Sequence, residues 1–136
     1  MKKPLFTTLL CTSLSAGLLI AAPASAREVT VEIINLTNAS YFTPLLVANH
    51  GRDNRLFEAG SAASDNLQAM AEGGDISGLV AEVEAAGGVA VANPAEGLLA
   101  PGETASTTLD VTGRTNRYLS ITAMVLPTND GFIGLN

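Results

Sequence analysis

Residues 118–126 read YLSITAMVL, and this run decides the fold. Leu119, Ile121, Ala123 and Val125 form one apolar face at the period of two that a strand imposes. Tyr118, Met124 and Leu126 make the opposite face apolar as well. A strand that is apolar on both faces is covered on both, so this run is expected at the centre of a sheet.

Downstream, Pro127-Thr128-Asn129-Asp130-Gly131 is a polar turn with one carboxylate, and a second apolar segment follows before the sequence stops at Asn136. Strand, acidic loop and strand together form an arrangement that presents oxygens to a hard cation. Calcium takes about six to eight oxygens, commonly with several carboxylates, and Asp130 alone does not make a tight site. On residues alone, an Asx-type turn initiated by Pro127 accounts for the loop. The stop, without turn, cap or polar tail, suggests that whatever pairs with this loop lies outside the sequence.

Upstream, Val29-Thr-Val-Glu-Ile-Ile-Asn35 alternates Val29, Val31 and Ile33 with polar residues, as a half-buried strand does. Asn35 to Ser40 reads as a turn and Pro44 to His50 as a second strand, with Pro44 at its entrance where no ladder N–H is needed. The middle of the chain changes period. Asp65 is placed to cap a short helix bearing Leu67, Met70 and Ala71. Asp75 is placed to cap another, in which Ile76, Leu79, Val80 and Val83 follow helical spacing. Gly73-Gly74 separates the two and Gly87-Gly88 ends the second, after which Val89-Ala-Val91 is extended. Pro101-Gly102 is a turn dipeptide, and Thr104 to Val111, β-branched with weak alternation, suits an exposed strand. Gly113 to Asn116 is the turn before the central strand. The expected fold is mainly β: an antiparallel sandwich with a short helical insertion at about residues 65–86.

Residues 1–26 carry the marks of a secretory signal peptide. Lys2 and Lys3 precede an uncharged apolar stretch from Leu5 to Ala22, and Ala24-Ser25-Ala26 is a small-x-small cleavage site. The apolar run is short for a spanning helix and is followed by Pro23, so the protein is expected to be exported, periplasmic or secreted, and not integral to the membrane. Cys11 lies within the apolar stretch behind bulky Leu10, a poor context for a lipid anchor. Cleavage leaves one domain, residues 27–136, without cysteine or lysine. Its cations are Arg27, Arg52, Arg55, Arg114 and Arg117, against all 13 acidic residues. Nothing so acidic neutralises phosphates, which argues against nucleic acid and anionic membranes as partners. No thiolate metal site, redox pair or cysteine nucleophile is available to the mature chain. A domain this small, without tryptophan, buries a modest core of Val, Ile, Leu and Ala.

Signatures of catalysis are missing from the sequence: it has no Gly-x-Ser-x-Gly elbow, phosphate-binding glycine loop or His-Glu-x-x-His. A triad would need His50, the only histidine, with Ser61 or Ser64 as nucleophile, yet neither serine sits on a strained turn. Glu82 and Glu84, two apart on a helix, point to different faces and read as solvated surface. Asn35-Leu-Thr37 and Asn38-Ala-Ser40 match the glycosylation acceptor pattern, to which no function is attached.

Four blocks carry a resemblance: EVTVEIINLTNASYFTPLLVANH, RLFEAGSAASDNLQAMAEGGDISGLVAEVE, GLLAPGETAS and YLSITAMVLPTNDGFIGLN. Over residues 28–136 the sequence is similar to bacterial spondin-domain proteins, relatives of the amino-terminal spondin domain of F-spondin and mindin. The resemblance implies an eight-stranded antiparallel sandwich of C2-like type that holds a calcium ion at one end. It implies that Asp130, in a Pro-x-x-Asp loop, is a metal ligand. Further aspartates are implied in a later Asp-Ala-Gly-Thr-Asp-like segment that no residue here matches, so the carboxyl-terminal part is expected to be missing. The function implied is a non-enzymatic binding or adhesion module, stabilised by calcium, with an unidentified extracellular or envelope partner. The alternative is a structural envelope or matrix protein that self-associates through strand edges.

Overall fold

The structure, a computed structural model, describes residues 27–112 and 115–136. The signal-peptide reading, and Gly113 and Arg114 of the turn before the central strand, lie outside the described residues. Seven strands and two helices are present among them: β1 (Glu28–Ile34), β2 (Tyr41–Phe42), β3 (Leu46–His50), α1 (Asp65–Gly73), α2 (Ser77–Ala85), β4 (Val89–Ala92), β5 (Thr104–Asp110), β6 (Tyr118–Leu126) and β7 (Phe132–Leu135). The chain is thus mainly β with a short helical insertion, as expected, although the resemblance implied eight strands.

The strands form two antiparallel sheets. Among the described residues β1 pairs with β5 alone, from Glu28 opposite Asp110 to Ile34 opposite Thr104. The larger sheet runs β2-β6-β3-β4, with β7 also paired to β6. The central-strand reading of residues 118–126 therefore holds: β6 is bonded to β2, β3 and β7. Its two apolar faces meet different layers. Ala123, with Ile121 and Val125 beside it, packs into a cluster with Phe42, Leu45, Leu99 and Ala105 between the sheets. Leu119 joins Val31, Val47 and Leu109 in a second inter-sheet cluster. On the opposite face Met124 packs with Leu46, Ala48, Leu67, Met70, Leu79 and Val83 beneath the helices. The larger sheet is consequently the middle of three layers, which explains why every residue of β3 is buried.

Local chemistry fixes the helices, with both expected caps corrected. Ser64, not Asp65, is the N-cap of α1, its hydroxyl accepting the Leu67 N–H at 3.2 Å. Asp65 is instead the first helical residue, where a carboxylate complements the helix dipole. Gly74 adopts a left-handed conformation (φ 71°), and its N–H closes on the Met70 carbonyl at 2.9 Å. Nor is Asp75 the cap of α2: Ile76 holds the N-cap position without a side-chain cap bond, and Asp75 stands one residue before it, its carboxylate accepting the Ser77 N–H at 2.9 Å. Ile76, Leu79 and Val83 are buried as their spacing predicts. β5 alternates more strictly than its sequence suggests: Ala105 and Leu109 are buried between exposed neighbours, so it is half-buried rather than an exposed strand.

Candidate functional site

The β6–β7 loop, which carries Asp130, is a tight connection between paired strands. Val125 N–H donates to the Gly131 carbonyl at 2.8 Å, and Thr128 N–H donates to the Val125 carbonyl at 2.9 Å. The residue that closes the loop is Thr128: its hydroxyl donates to the Val125 carbonyl and accepts the Gly131 N–H at 3.0 Å. The expected Asx-type turn is therefore replaced by one closed by a threonine hydroxyl, because a hydroxyl both donates and accepts where a carboxylate only accepts. Asp130 is exposed at the tip. Among the described residues no group of three or more His, Cys, Asp or Glu side chains is placed to hold a metal. One carboxylate and a committed hydroxyl fall short of a calcium shell, so these residues do not fit a self-contained calcium site.

β7 carries more than its sequence advertises. Phe132 meets Phe57 edge-on, with ring centroids 5.6 Å apart, and the Phe57 ring lies so close over Gly134 that an added Cβ would sit 2.5 Å from it. Asn136 donates from its side-chain amide to the Phe57 carbonyl. The segment that follows β3 is thereby tied to β7. Phe132 (37%) and Leu135 (53%) remain exposed on this edge strand.

His50 is fully buried and makes no triad with Ser61 or Ser64. Its Nδ1 lies 2.7 Å from the Gly51 carbonyl, which can only accept, so Nδ1 carries a proton. Its Nε2 lies 2.6 Å from Ser120 Oγ, which is 2.7 Å from Asn136 Oδ1. Ser120 is itself fully buried, so this chain of polar groups runs from the buried interior of β3 and β6 to exposed Asn136, just past β7. Glu82 and Glu84 are exposed, and Glu82 accepts a 2.6 Å bond from Asn66, which links the two helices.

Asn35 is also fully buried, with its amide donating to the Ser40 and Leu99 carbonyls at 2.8 and 2.9 Å. That burial removes the first acceptor triplet from glycosylation chemistry. Two exposed carboxyls, Asp75 and Asp110, are held below the ordinary carboxylate range. The cause is first a hydroxyl, then a backbone N–H: those of Ser77 for Asp75 and of Thr112 for Asp110. No described helix is long and apolar enough to cross a membrane.

The family model described as Spondin_N matches residues 35–136, from the buried Asn35 through the end of β7. No curated protein matches the chain.

Proposed function

We propose that this chain, which belongs to the spondin N-terminal domain family, works as an exported, non-catalytic binding and adhesion module. The observation that carries the reading is the extent of the match, which takes in both sheets except β1, the helical insertion and the β6–β7 loop. The family is extracellular, which supports export. The buried setting of His50 and Ser120 adds support, since a nucleophile sealed from solvent meets no substrate. A bead assay tests the adhesion reading: beads coated with the purified chain are expected to be retained on extracellular matrix from the producing organism. Equal retention of beads coated with unfolded chain would reject it.

Calcium enters only as a stabilising ion, with Asp130 as a single ligand at the loop tip. Because the described residues do not complete its shell, no part of the binding function is routed through it. Calorimetric titration with calcium, paired with a thermal melt, tests this role, and binding that Asp130→Ala removes would support it. Absence of binding, or binding indifferent to that substitution, sinks this part of the reading.

A second reading is favoured by β7 itself. An edge strand that exposes Phe132 and Leu135 is a template for pairing with another copy. Light scattering on the purified chain separates the two readings: a concentration-dependent dimer disrupted by Leu135→Lys supports self-association, and a stable monomer rejects it.

A further inference from the structure

The sandwich is not filled at one end. The alternation of β1 directs Val29 to the same side as Val31 and Ile33, which lie in the inter-sheet core. Val31 is 8% exposed, yet Val29 is 44% exposed. An inward-register valine left this open means that the sheets part where β1 begins and β5 ends. The gap is a cleft of about 650 Å³, a volume typical of sites for small organic ligands. Its apolar wall is Val29, Leu109, Val111 and Leu119.

The polar groups of the cleft are sorted by charge. Arg27 and Arg117 both line it, and among the described residues no acidic side chain does. In a chain of net charge −6 that separation is informative. It follows from strand register: Glu28, Thr30 and Glu32 alternate with the inward residues of β1 and are exposed on its outer face. Asp110 is likewise exposed, and its carboxylate is occupied by the backbone N–H of Thr112 at 2.8 Å. The position of Arg27 is fixed by its backbone, whose N–H donates to Thr112 Oγ1 at 3.0 Å and whose carbonyl accepts from Val111 at 2.7 Å. Asn49, on the cleft floor, is fully engaged, donating to the Asp110 carbonyl and accepting from Val89. The floor is therefore rigid, and the charged groups offered to a ligand by the described lining residues are guanidinium groups.

We propose that this cleft binds a small amphiphilic carboxylate, with its apolar chain against Val29, Leu109, Val111 and Leu119 and its carboxylate on Arg117 and Arg27. The guanidinium fork matches a carboxylate with two parallel hydrogen bonds, and the apolar wall accounts for a site larger than a bare anion needs. The proposal does not depend on the adhesion reading, because Arg27 and Val29, which the cleft requires, lie before the matched residues.

Isothermal titration of the purified chain at low salt tests it, with decanoate, decanol and inorganic phosphate as probes. Decanoate is expected to bind saturably at one site per chain, and Arg117→Gln to weaken it by about tenfold to a hundredfold, as loss of a charge-assisted bond does. Val29→Trp, which fills the cleft, should abolish binding, while a melt confirms that each variant is folded. If Val29→Trp fails to fold, Val111→Trp replaces it. Decanol binding as tightly as decanoate would overturn the anionic part of the proposal. Phosphate binding as tightly would overturn the apolar part. No decanoate binding, or binding indifferent to Arg117→Gln, would overturn the whole.

Discussion

Replacing Asn35 tests how the two sheets are tied together. Its side chain makes four hydrogen bonds: donations to Ser40 and Leu99 at 2.8 and 2.9 Å, and acceptances from the Thr37 N–H and hydroxyl at 3.0 and 2.7 Å. Neither carbonyl is orphaned by Asn35→Ala. Leu99 O keeps the Phe42 N–H at 3.1 Å, and Ser40 O keeps the Thr37 hydroxyl at 2.8 Å. The loss is then about 1 kcal/mol for each bond, less at exposed Thr37, whose single hydroxyl proton is shared between Asn35 Oδ1 and the Ser40 carbonyl, or about 3 kcal/mol in all. With a urea slope of about 1.5 kcal/mol per molar, the unfolding midpoint should fall by roughly 2 M. Asn35→Asp, although isosteric, should cost more at neutral pH. It keeps the two acceptances but sets a buried carboxylate against two carbonyl oxygens. Burial and those carbonyls raise the folded pKa of such a carboxyl above its unfolded value. The stability of its neutral form is therefore present at low pH and lost as pH rises through the folded pKa, so the gap between the two variants should close on acidification. Urea melts at neutral and acid pH measure both effects. A milder defect for Asn35→Asp than for Asn35→Ala at neutral pH would refute the reasoning.

Gly88 and Gly97 form a matched pair for thermal melts. An added Cβ at Gly88 would sit 2.6 Å from the Asn49 carbonyl and 2.7 Å from Val83 Cγ1, so Gly88→Ala should destabilise by about 1–3 kcal/mol through overpacking. Nothing lies within 4 Å of a Cβ at Gly97, and Gly97→Ala should be neutral or slightly stabilising. For Asp75 and Asp110, carbon-detected NMR titration should place both midpoints below that of an unstructured aspartate. A depressed folded pKa means that their stabilisation is present above the unfolded pKa and is lost as pH falls through the folded one. Ser77→Ala should return Asp75 toward the ordinary range and leave Asp110 unchanged.

The legible part of the fold was the part governed by periodicity. A nine-residue run apolar on both faces could only be a covered strand, and β6 is bonded to three partners. The two helices announced themselves through spacing and through Gly74 and Gly87, both of which take positive φ. What escaped was the polar core. Asn35, Asn49, His50, Ser120 and Thr122 are all buried, and polar residues in a sequence read as surface because their partners are distant in it. Asn49, for example, donates to a carbonyl 61 residues away. The Asp130 loop was recognisable as a strand connection, but which side chain closes it depended on hydroxyl geometry that no pattern encodes. Arg27 and Arg117 were visible only as charges. Their shared cleft arises from a register between strands at opposite ends of the chain.

The exclusive pairing of β1 with β5 also sets an order of assembly. Thr30 meets Thr108 across 78 residues, so during synthesis β1 emerges first and must wait for almost the entire domain before it acquires its only partner. β3 waits nearly as long for β6, since Ser120 lies 70 residues from His50 and β6 follows β5 in the chain. The Arg27–Arg117 cleft needs both pairings, because its lining runs from Arg27 to Leu119. The ligand binding proposed for it would thus be absent from every nascent chain that has yet to deliver β5 and the start of β6.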